Sequence, residues 1–192
     1  MFIKLTIVTS NANKAKEVAG FFGAGVDVSH VPLEIPEIRS DDIVEISRQK
    51  AKYAYDHLHT PLIVDDTSFS IDVLNEFPGP YAGYVLNTIG NKGILKLMTD
   101  EKERSAHFTT VIAYADHTGI RDFSGTIHGT IVAIPRGSGG FGYDSIFEVK
   151  GQTLAELPLQ EKNKISHRAQ ALAAFRDWFM QEDKPFKGNT NG

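Results

Sequence analysis

The pattern of apolar and polar positions predicts alternating strands and helices over the first third of the chain. Residues 2–9 (FIKLTIVT) are apolar and β-branched and predict a buried strand, and apolar residues at helical spacing over 11–22 predict a helix directly after it. Residues 26–31 are typical of a second strand, which Pro32 ends. A second helix is predicted over about 41–58, because capping residues and acids precede its apolar positions.

The next segment combines apolar runs with a pair of acids. Residues 62–64 predict a short buried strand that stops at Asp65 and Asp66. The partly alternating segment 69–74 predicts a second short strand that pairs with it. A turn at 77–81 (FPGPY) then leads into a helical stretch.

Strand signals dominate the chain from about residue 106. Successive strands are predicted over 107–116, 119–127 and 130–134. A glycine-rich loop over 135–147 follows, and one long helix is predicted over 161–181. Helices early and late, with antiparallel strands between them, predict a mixed α/β fold.

The chain is expected to form a single domain over residues 1–192, with a flexible tail at about 183–192. The chain carries 20 Lys and Arg against 24 Asp and Glu, so its net charge of −4 argues against coating nucleic acid by charge alone. It has no cysteine, which excludes disulfides, thiolate metal sites and a cysteine nucleophile. Neither a signal peptide nor a membrane span is expected, so a cytoplasmic protein without a membrane partner is predicted.

The first candidate site is TSNANK at 9–14, where the first strand becomes a helix. Free amides at a helix N-terminus, with Asn11 as the cap and Lys14 one turn later, can bind an anion. An ordinary capped helix with a solvated lysine explains the same residues.

The second candidate is the acidic pair Asp65 and Asp66 at the end of a predicted strand, where open α/β sheets bind ligands. Because side chains alternate along a strand, only one of the two can face a given site. A carboxylate there can hold Mg²⁺, and Glu37 in a proline-flanked loop can supply a second oxygen ligand. An acid that caps a turn at Thr67 and Ser68 is the alternative.

Two further segments carry chemistry. The glycines of PRGSGGFGYD (135–144) let the backbone approach a ligand, and Phe141 and Tyr143 offer rings that stack on a base. In EKNKISHR (161–168), cations stand in what is predicted to be the first turn of a helix, where acids are usual. Such cations suggest an anionic or carbonyl-bearing ligand. A flexible hairpin loop and a basic solvated helix face are the alternatives.

Six motifs together resemble one known family. In chain order they are TSNANK, PEI, VDDTSF, FPGPY, GGFGYD and EKNKISHR. This ordered set is similar to the inosine triphosphate pyrophosphatase family, and the similarity runs from residue 3 to about residue 180. Each motif alone is weak, but GGFGYD followed by EKN-x-x-SHR is a specific pair.

The resemblance implies a fold and an activity. The fold is a single elongated domain with a central mixed, twisted β-sheet flanked by helices, in two lobes with the active-site cleft between them. The activity is hydrolysis of noncanonical purine nucleoside triphosphates (inosine, deoxyinosine and xanthosine triphosphates) to the monophosphate and pyrophosphate. This activity cleanses the nucleotide pool. The resemblance also implies Mg²⁺ as cofactor and a homodimer, with no stable nucleic acid partner.

The resemblance assigns roles residue by residue. The implied substrate-binding residues are Thr9, Ser10, Asn11, Ala12, Asn13, Lys14, Lys50, Thr67, Phe141, Gly142, Tyr143, Asp144, Lys162, His167 and Arg168. Residues 9–14 are implied to cradle the triphosphate, with Lys50 and Lys162 adding positive charge near the phosphates. Glu37 and Asp66 are implied as metal carboxylates, and Asp66 also as the general base.

The same resemblance assigns the base-binding residues. Phe141 is implied to stack on the base and Asp144 to contact its edge, while His167 and Arg168 recognise the 6-oxo group. Because arginine has only donors, a 6-oxo base satisfies Arg168, whereas the 6-amino group of adenine faces it with another donor.

Two other functions are compatible with parts of the sequence. The Maf-like pyrophosphatases, which prefer pyrimidine or modified nucleotides, are the enzymatic alternative. The other is a nucleotide- or RNA-binding module that uses Phe141, Tyr143 and the basic residues at 162–168. The net charge of −4 and the acids at 65–66 argue against the binding module.

Overall fold

A computed structural model of the protein describes residues 3–182. The predicted tail at 183–192 lies outside the described residues. The helices are α1 (Ala12–Phe22), α2 (Ile43–Leu58), α3 (Ala82–Thr88), α4 (Gly90–Leu97), α5 (Leu159–Ile165) and α6 (His167–Glu182). The strands are β1 (Ile3–Val8), β2 (Val26–Val31), β3 (Leu62–Ile71), β4 (Pro78–Gly79), β5 (Ser105–Asp116), β6 (Gly119–Ile131), β7 (Phe147–Val149) and β8 (Gln152–Thr153).

The strands form one mixed sheet in the order β2-β1-β3-β5-β6-β7-β8, with β4 paired to β3. The strands β2, β1 and β3 are parallel, whereas β3, β5, β6, β7 and β8 pair antiparallel. The two parts follow from the connections, because a helix crossover precedes each parallel pairing and a short turn joins β5 to β6. The predicted mixed α/β fold is confirmed.

Helices cover both faces of the parallel part. A cluster that includes Ile7, Ile63 and Ile112 packs under α1 and α6, and a cluster that includes Leu62 and Val64 packs under α2 on the opposite face. A third cluster lies at the other end of the long strands, where α3 and α4 pack on β3, β5 and β6. Among the described residues, no helix is long and apolar enough to cross a membrane.

The prediction of a strand that stops at the acidic pair is wrong. β3 runs without a break from Leu62 to Ile71, and β5 pairs with its full length, from Leu62 opposite Ala115 to Ile71 opposite Ala106. Aspartate has a low strand propensity, but pairing with a distant strand overrides it. The predicted end of the strand nevertheless coincides with a boundary in the sheet, because β1 ends opposite Val64. The acids therefore lie just beyond the end of the parallel strands.

Two other predicted boundaries also differ. The segments 119–127 and 130–134 are not separate strands, because β6 is continuous to Ile131 and ends there. The predicted long helix at 161–181 is two helices, since Ser166 adopts an extended conformation (φ −68°, ψ 158°) between α5 and α6. The Ser166 hydroxyl accepts a hydrogen bond from the backbone N–H of Ala169 and so caps α6.

Candidate active site

A cleft of about 460 Å³ lies between the two ends of the sheet, a volume typical of small-molecule sites. Both acids of the pair, Glu37 and nearly all of the predicted substrate-binding residues line it. Those that line it are Thr9, Ser10, Asn11, Lys14, Lys50, Thr67, Phe141, Gly142, Tyr143, Asp144, Lys162, His167 and Arg168. Ala12 and Asn13 do not line it, because they are exposed in the first turn of α1. The cleft is thus where residues of all six sequence motifs converge.

The N-terminus of α1 forms one wall of the cleft. The Asn11 side chain accepts hydrogen bonds from the backbone N–H groups of Asn13 and Lys14, as predicted for a cap. The Lys14 ammonium is not simply solvated, because it donates to the carbonyl of Asp65 at 2.7 Å and lies 3.1 Å from its carboxylate. The Lys14 ammonium and the positive end of the helix dipole therefore lie together, and both favour an anion at this wall of the cleft.

The two neighbouring acids on β3 point to different partners, as strand alternation predicts. Asp65 faces α1 and α6 and contacts Lys14 and Arg168. Asp66 faces α2, where Lys50 donates to its Oδ1 at 2.6 Å. The alternative of turn-capping acids is wrong, because both lie inside a strand and both are buried.

Asp66, Lys50 and Glu37 form a group with an excess of negative charge. The Lys50 ammonium donates to Glu37 as well as to Asp66, so one cation holds two carboxylates beside the cleft. Burial alone would lower the pKa of Lys50, but Asp66 and Glu37 raise it above its ordinary value. The Glu37 side chain is 64% exposed and lies on an irregular segment, which leaves it free to adjust.

The donor set fits Mg²⁺. The second carboxylate oxygen of Asp66, Oδ2, is buried and has no hydrogen-bond partner among the described residues. A buried carboxylate oxygen without a partner is costly, and a hard cation is one group that satisfies it. Two carboxylates against one ammonium leave one uncompensated negative charge here, which also favours a cation.

A buried chain of ion pairs lies on the other side of the cleft. Arg168 donates from Nε to Asp65 Oδ2 at 2.6 Å and from Nη1 to Glu17 Oε2 at 2.6 Å. The Lys162 ammonium donates to Glu17 Oε1 and to Asp144 Oδ2, both at 2.6 Å. With Lys14, the chain contains three cations and three carboxylates. Its charges therefore balance within the protein, as burial requires.

The ion pairs determine the charge states of their members. Burial alone would raise the pKa of Asp65, but Arg168 and Lys14 hold it well below its ordinary range. Burial would lower the pKa of Arg168, which Asp65 and Glu17 instead raise. For Asp144, burial outweighs the attraction of Lys162 and raises the pKa.

The ion pairs also correct the interpretation of the basic segment. Its cations do not require an external anion, because Glu17, Asp65 and Asp144 already neutralise Lys162 and Arg168. Lys162 lies in the last turn of α5 rather than the first turn of a longer helix, and cations are favourable there. The structure groups Lys162 with Phe141 and Asp144, the implied base-binding residues, since its ammonium lies 5.0 Å from the Phe141 ring centroid.

Most of the donors of Arg168 are used within the protein. Besides Nε and one hydrogen of Nη1, both hydrogens of Nη2 have partners, since Nη2 donates to Asp65 Oδ1 and Thr67 Oγ1 at 3.0 Å each. One N–H of the five, on Nη1, has no partner among residues 3–182 and remains for a ligand. The implied contact with a 6-oxo group therefore involves a single hydrogen bond from a rigidly held guanidinium.

The glycine-rich loop owes its glycines to its own packing. Gly140 has a φ of +66°, and a Cβ there would lie 2.1 Å from the Asp144 carboxylate. That carboxylate accepts the backbone N–H of Phe141 at 2.7 Å, which fixes the turn that presents the Phe141 ring. Tyr143 does not offer its ring as the sequence suggested, because it is buried, stacks on Phe69 and donates its hydroxyl to the Ala82 carbonyl.

His167 is a neutral histidine at the base of the cleft. Its ring stacks on Phe108 with 4.7 Å between ring centroids, and Nδ1 is buried without a hydrogen-bond partner among the described residues. Burial, and then the charges of Arg168 and Lys162, hold its pKa well below 6.5. The α6 N-terminus can approach β6 closely because Gly125 has no Cβ. A Cβ at that position would lie 2.3 Å from the His167 carbonyl.

We expect acid to destabilise the protein in the range in which unfolded histidine gains a proton. The folded state excludes a proton from His167, so its stabilising contribution is complete above the unfolded pKa of about 6.5 and is lost as the pH falls. Below that value, the free energy of unfolding should fall by about 1.4 kcal/mol per pH unit from this group. Denaturant unfolding at a series of pH values measures the slope.

Two variants isolate the contribution of His167 to this slope. His167→Gln should reduce the slope of unfolding free energy against pH by the amount that corresponds to about one proton. His117→Asn, at an exposed hairpin position, should leave the slope unchanged. An equal slope in the wild type and His167→Gln would show that His167 takes up a proton when folded.

Sequence reasoning missed Glu17 and assigned no cationic partner to Asp65. Glu17 lies beside the apolar positions of α1 and has the local pattern of a surface glutamate, yet it is buried and accepts from Lys162 and Arg168. Its partners are 145 and 151 residues away along the chain, so no local signal identifies them. The capping serine at 166 was a usable signal for the start of α6.

Comparison with known proteins places this geometry in a family. The protein-family model described as "Ham1 family" matches residues 5–178 of the sequence. A dITP/XTP pyrophosphatase of Methanopyrus kandleri is 44% identical over 183 residues, which cover 92% of this chain and 96% of that protein. Inosine triphosphate pyrophosphatase 2 of Trypanosoma cruzi is 44% identical over 180 residues, with 92% of each chain covered. The structure of the Staphylococcus aureus Ham1 protein superimposes with a TM-score of 0.81 at 26% identity, covering 93% of this chain and 99% of that one.

Proposed function

Because the chain belongs to the Ham1 family, as its motifs predicted, we propose that it hydrolyses noncanonical purine nucleoside triphosphates to the monophosphate and pyrophosphate. Its relatives are named for dITP, XTP and inosine triphosphate. The observation that supports the proposal most directly is the cleft itself. One cavity contains a helix N-terminus with Lys14, the carboxylate pair Asp66 and Glu37, and Phe141 beside a buried cationic group. The Maf-like and RNA-binding alternatives receive no support from the relatives.

We further propose that the enzyme uses Mg²⁺, held by Asp66 and Glu37. The support is the buried Oδ2 of Asp66, which has no hydrogen-bond partner in the part of the chain that the structure describes, and the uncompensated charge of this group. When bound, Mg²⁺ supplies neutralisation of phosphate charge and makes nearby water more acidic. Lys50 keeps the two carboxylates next to each other and adds a positive charge at the cleft.

The residues of the cleft have separate parts in the proposed reaction. Asp66 takes a proton from the attacking water, whose oxygen bonds to phosphorus while the bond between the α- and β-phosphates breaks and pyrophosphate leaves. The α1 N-terminus and Lys14 hold the negative charge of the triphosphate. Catalysis of this kind depends mainly on positioning and charge neutralisation, because the protein does little covalent chemistry.

Recognition of the base is proposed to use the other side of the cleft. Phe141 stacks on the base, and its ring lies 5.7 Å from the Arg168 guanidinium carbon. The remaining N–H of Arg168 and the neutral ring of His167 are donors for a 6-oxo group. Asp144 accepts from Lys162, which belongs to the same chain of ion pairs as Arg168. A 6-amino base leaves the Arg168 donor facing another donor, which disfavours adenine.

The homodimer and the cytoplasmic location that the family resemblance implies are proposals of the same kind. The aromatic residues at 77–84 are not core residues, since Phe77, Tyr81 and Tyr84 are 40%, 44% and 72% exposed. Tyr81 and Tyr84 also line the cleft, so their exposure supports a contact between copies of the chain at the rim of the cleft.

A nucleotide panel tests the function. With Mg²⁺ present, ion chromatography should find pyrophosphate and the monophosphate from inosine, deoxyinosine and xanthosine triphosphates. We expect kcat/KM for these to exceed that for adenosine triphosphate by at least about 10², because the 6-amino group of adenine leaves the Arg168 donor without an acceptor. Orthophosphate as the product would contradict the proposed bond, and turnover confined to pyrimidine or modified nucleotides would favour the Maf-like alternative.

A further inference from the structure

A second group of potential metal ligands lies outside the cleft. It consists of Asp72, Glu76 and His107, and one ligand atom from each lies within 4.8 Å of the other two. None of the three lines the cleft. His107 Nδ1 is 3.7 Å from Asp72 Oδ1, and Nε2 is 3.5 Å from Glu76 Oε2. These separations are too long for hydrogen bonds, so the ring does not satisfy the carboxylates directly.

The backbone brings these side chains together. Asp72 begins a helical turn, Asp72–Leu74, directly after β3. The N–H of Asn75 donates to the Asp72 carbonyl and the N–H of Glu76 donates to the Ile71 carbonyl, which folds the chain back on itself. His107 lies on the adjacent strand β5, opposite Ser70 of β3. The turn therefore places both carboxylates beside the imidazole.

A second imidazole lies across the neighbouring strand pair. His128 of β6 is directly opposite His107, and their ring centroids are 5.5 Å apart. Two imidazoles bound to one tetrahedral ion would have centroids about 5 Å apart, given a metal–nitrogen distance of about 2.0 Å. His128 lies outside the group of atoms within 4.8 Å, but its side chain is exposed and can rotate toward it.

We propose that Asp72, Glu76 and His107, with His128 as the fourth ligand, form a binding site for one divalent transition-metal ion of the zinc class. Imidazole nitrogen combined with carboxylate oxygen suits zinc and its neighbours, whereas Mg²⁺ and Ca²⁺ prefer oxygen alone. Two carboxylates also neutralise the charge of a divalent ion.

Closing the group around an ion requires only side-chain movement. The ligand atoms of a tetrahedral zinc site lie about 3.3 Å apart, given metal–ligand distances of about 2.0 Å. The side chains of Asp72 and Glu76 are 50% and 60% exposed, so they can move inward without disturbing the core.

The bound ion would join the turn after β3 to β5 and β6. That turn leads through β4 into residues 80–87, seven of which line the cleft. The site therefore has a structural consequence, because it fixes the beginning of a segment that forms one wall of the cleft. It does not depend on the proposed reaction, since it shares no residue with the cleft.

Zinc titration of the intact protein against a chromogenic zinc indicator tests the proposal. Mg²⁺ in large excess keeps oxygen-only sites from contributing. We expect one strongly bound zinc ion per chain and a higher Tm with zinc than without it. His107→Asn should weaken zinc binding by at least about tenfold, and Asp72→Asn combined with Glu76→Gln should do the same.

Two controls make the outcome specific. His117→Asn makes the same chemical change at an exposed position in the turn after β5, at the other end of that strand from the site, and should leave zinc affinity unchanged. The Asp66→Asn protein should bind zinc as the wild type does, which separates this site from the one proposed for Mg²⁺. Equal affinities of wild type and His107→Asn, or loss of the strong zinc ion in Asp66→Asn, would overturn the proposal.

Discussion

Replacing Asp66 with asparagine is expected to lower kcat for inosine triphosphate by at least about 10³-fold while the protein stays folded. The asparagine side chain cannot take the proton of the attacking water. It also replaces one carboxylate oxygen with an amide that is a poor ligand for Mg²⁺. Pyrophosphate release under saturating nucleotide and Mg²⁺ measures kcat, and thermal unfolding of the same sample shows that the fold is intact.

The matched control is Asp122→Asn. Asp122 is also paired with a cation, Arg48, at 2.5 Å, but it lies on the surface of β6 away from the cleft. This variant should retain kcat, because the same change of charge occurs outside the site. If Asp66→Asn keeps activity within tenfold of the wild type at unchanged Tm, Asp66 is not the general base.

Replacing Arg168 with methionine is expected to reduce the free energy of unfolding by about 3–5 kcal/mol, the cost of breaking a buried ion pair. The Arg168 side chain is 3% exposed, and the carboxylate of Asp65 that it neutralises is fully buried. Without the guanidinium, the cations left within the described residues are Lys14 for Asp65 and Lys162 for Glu17. Urea unfolding with an unchanged m-value measures the loss.

The chain offers a control of the same type in the same helix. Arg176 pairs with Asp177 at 2.8 Å, but both side chains are about half exposed. Arg176→Met should therefore cost less than about 1 kcal/mol. Equal losses in the two variants would show that burial of the Arg168 cluster contributes nothing special. Adding Asp65→Asn to Arg168→Met should cost less than the sum of the single changes, because the two residues interact directly.

The acids on β3 show why neighbours in sequence have different expected effects. Asp65 and Asp66 have the same side chain, but alternation along the strand turns them to opposite faces of the sheet. Asp65 is committed to Arg168 and Lys14, and so stabilises the fold and the base-binding side of the cleft. Asp66 has an unpartnered oxygen among the described residues and is available for chemistry.

Local signals in the sequence were sufficient for most elements of the fold. The strand over 3–8, the first two helices and the strand over 26–31 agree with prediction, because each has its own pattern of apolar residues and the two helices also have capping residues, Asn11 and Asp42. The order of six motifs also identified the family, and its model matches residues 5–178. All of the predicted site residues except Ala12 and Asn13 line the cleft, and their roles there stay predictions.

Only the tertiary structure decided which of those residues pair with one another and which remain for a ligand. Pairing with β5 made a single strand of the segment 62–71, which no local propensity predicts. The cations of the basic segment were expected to bind an external anion. In the structure, Glu17 and Asp65, more than 100 residues away in the chain, neutralise Arg168. Burial then sets the charge states, because a charge removed from water needs a partner that only the folded chain can supply. The sequence by itself thus determined which chemical groups are present and their local structure, and the fold determined which of them are paired and which remain for a ligand.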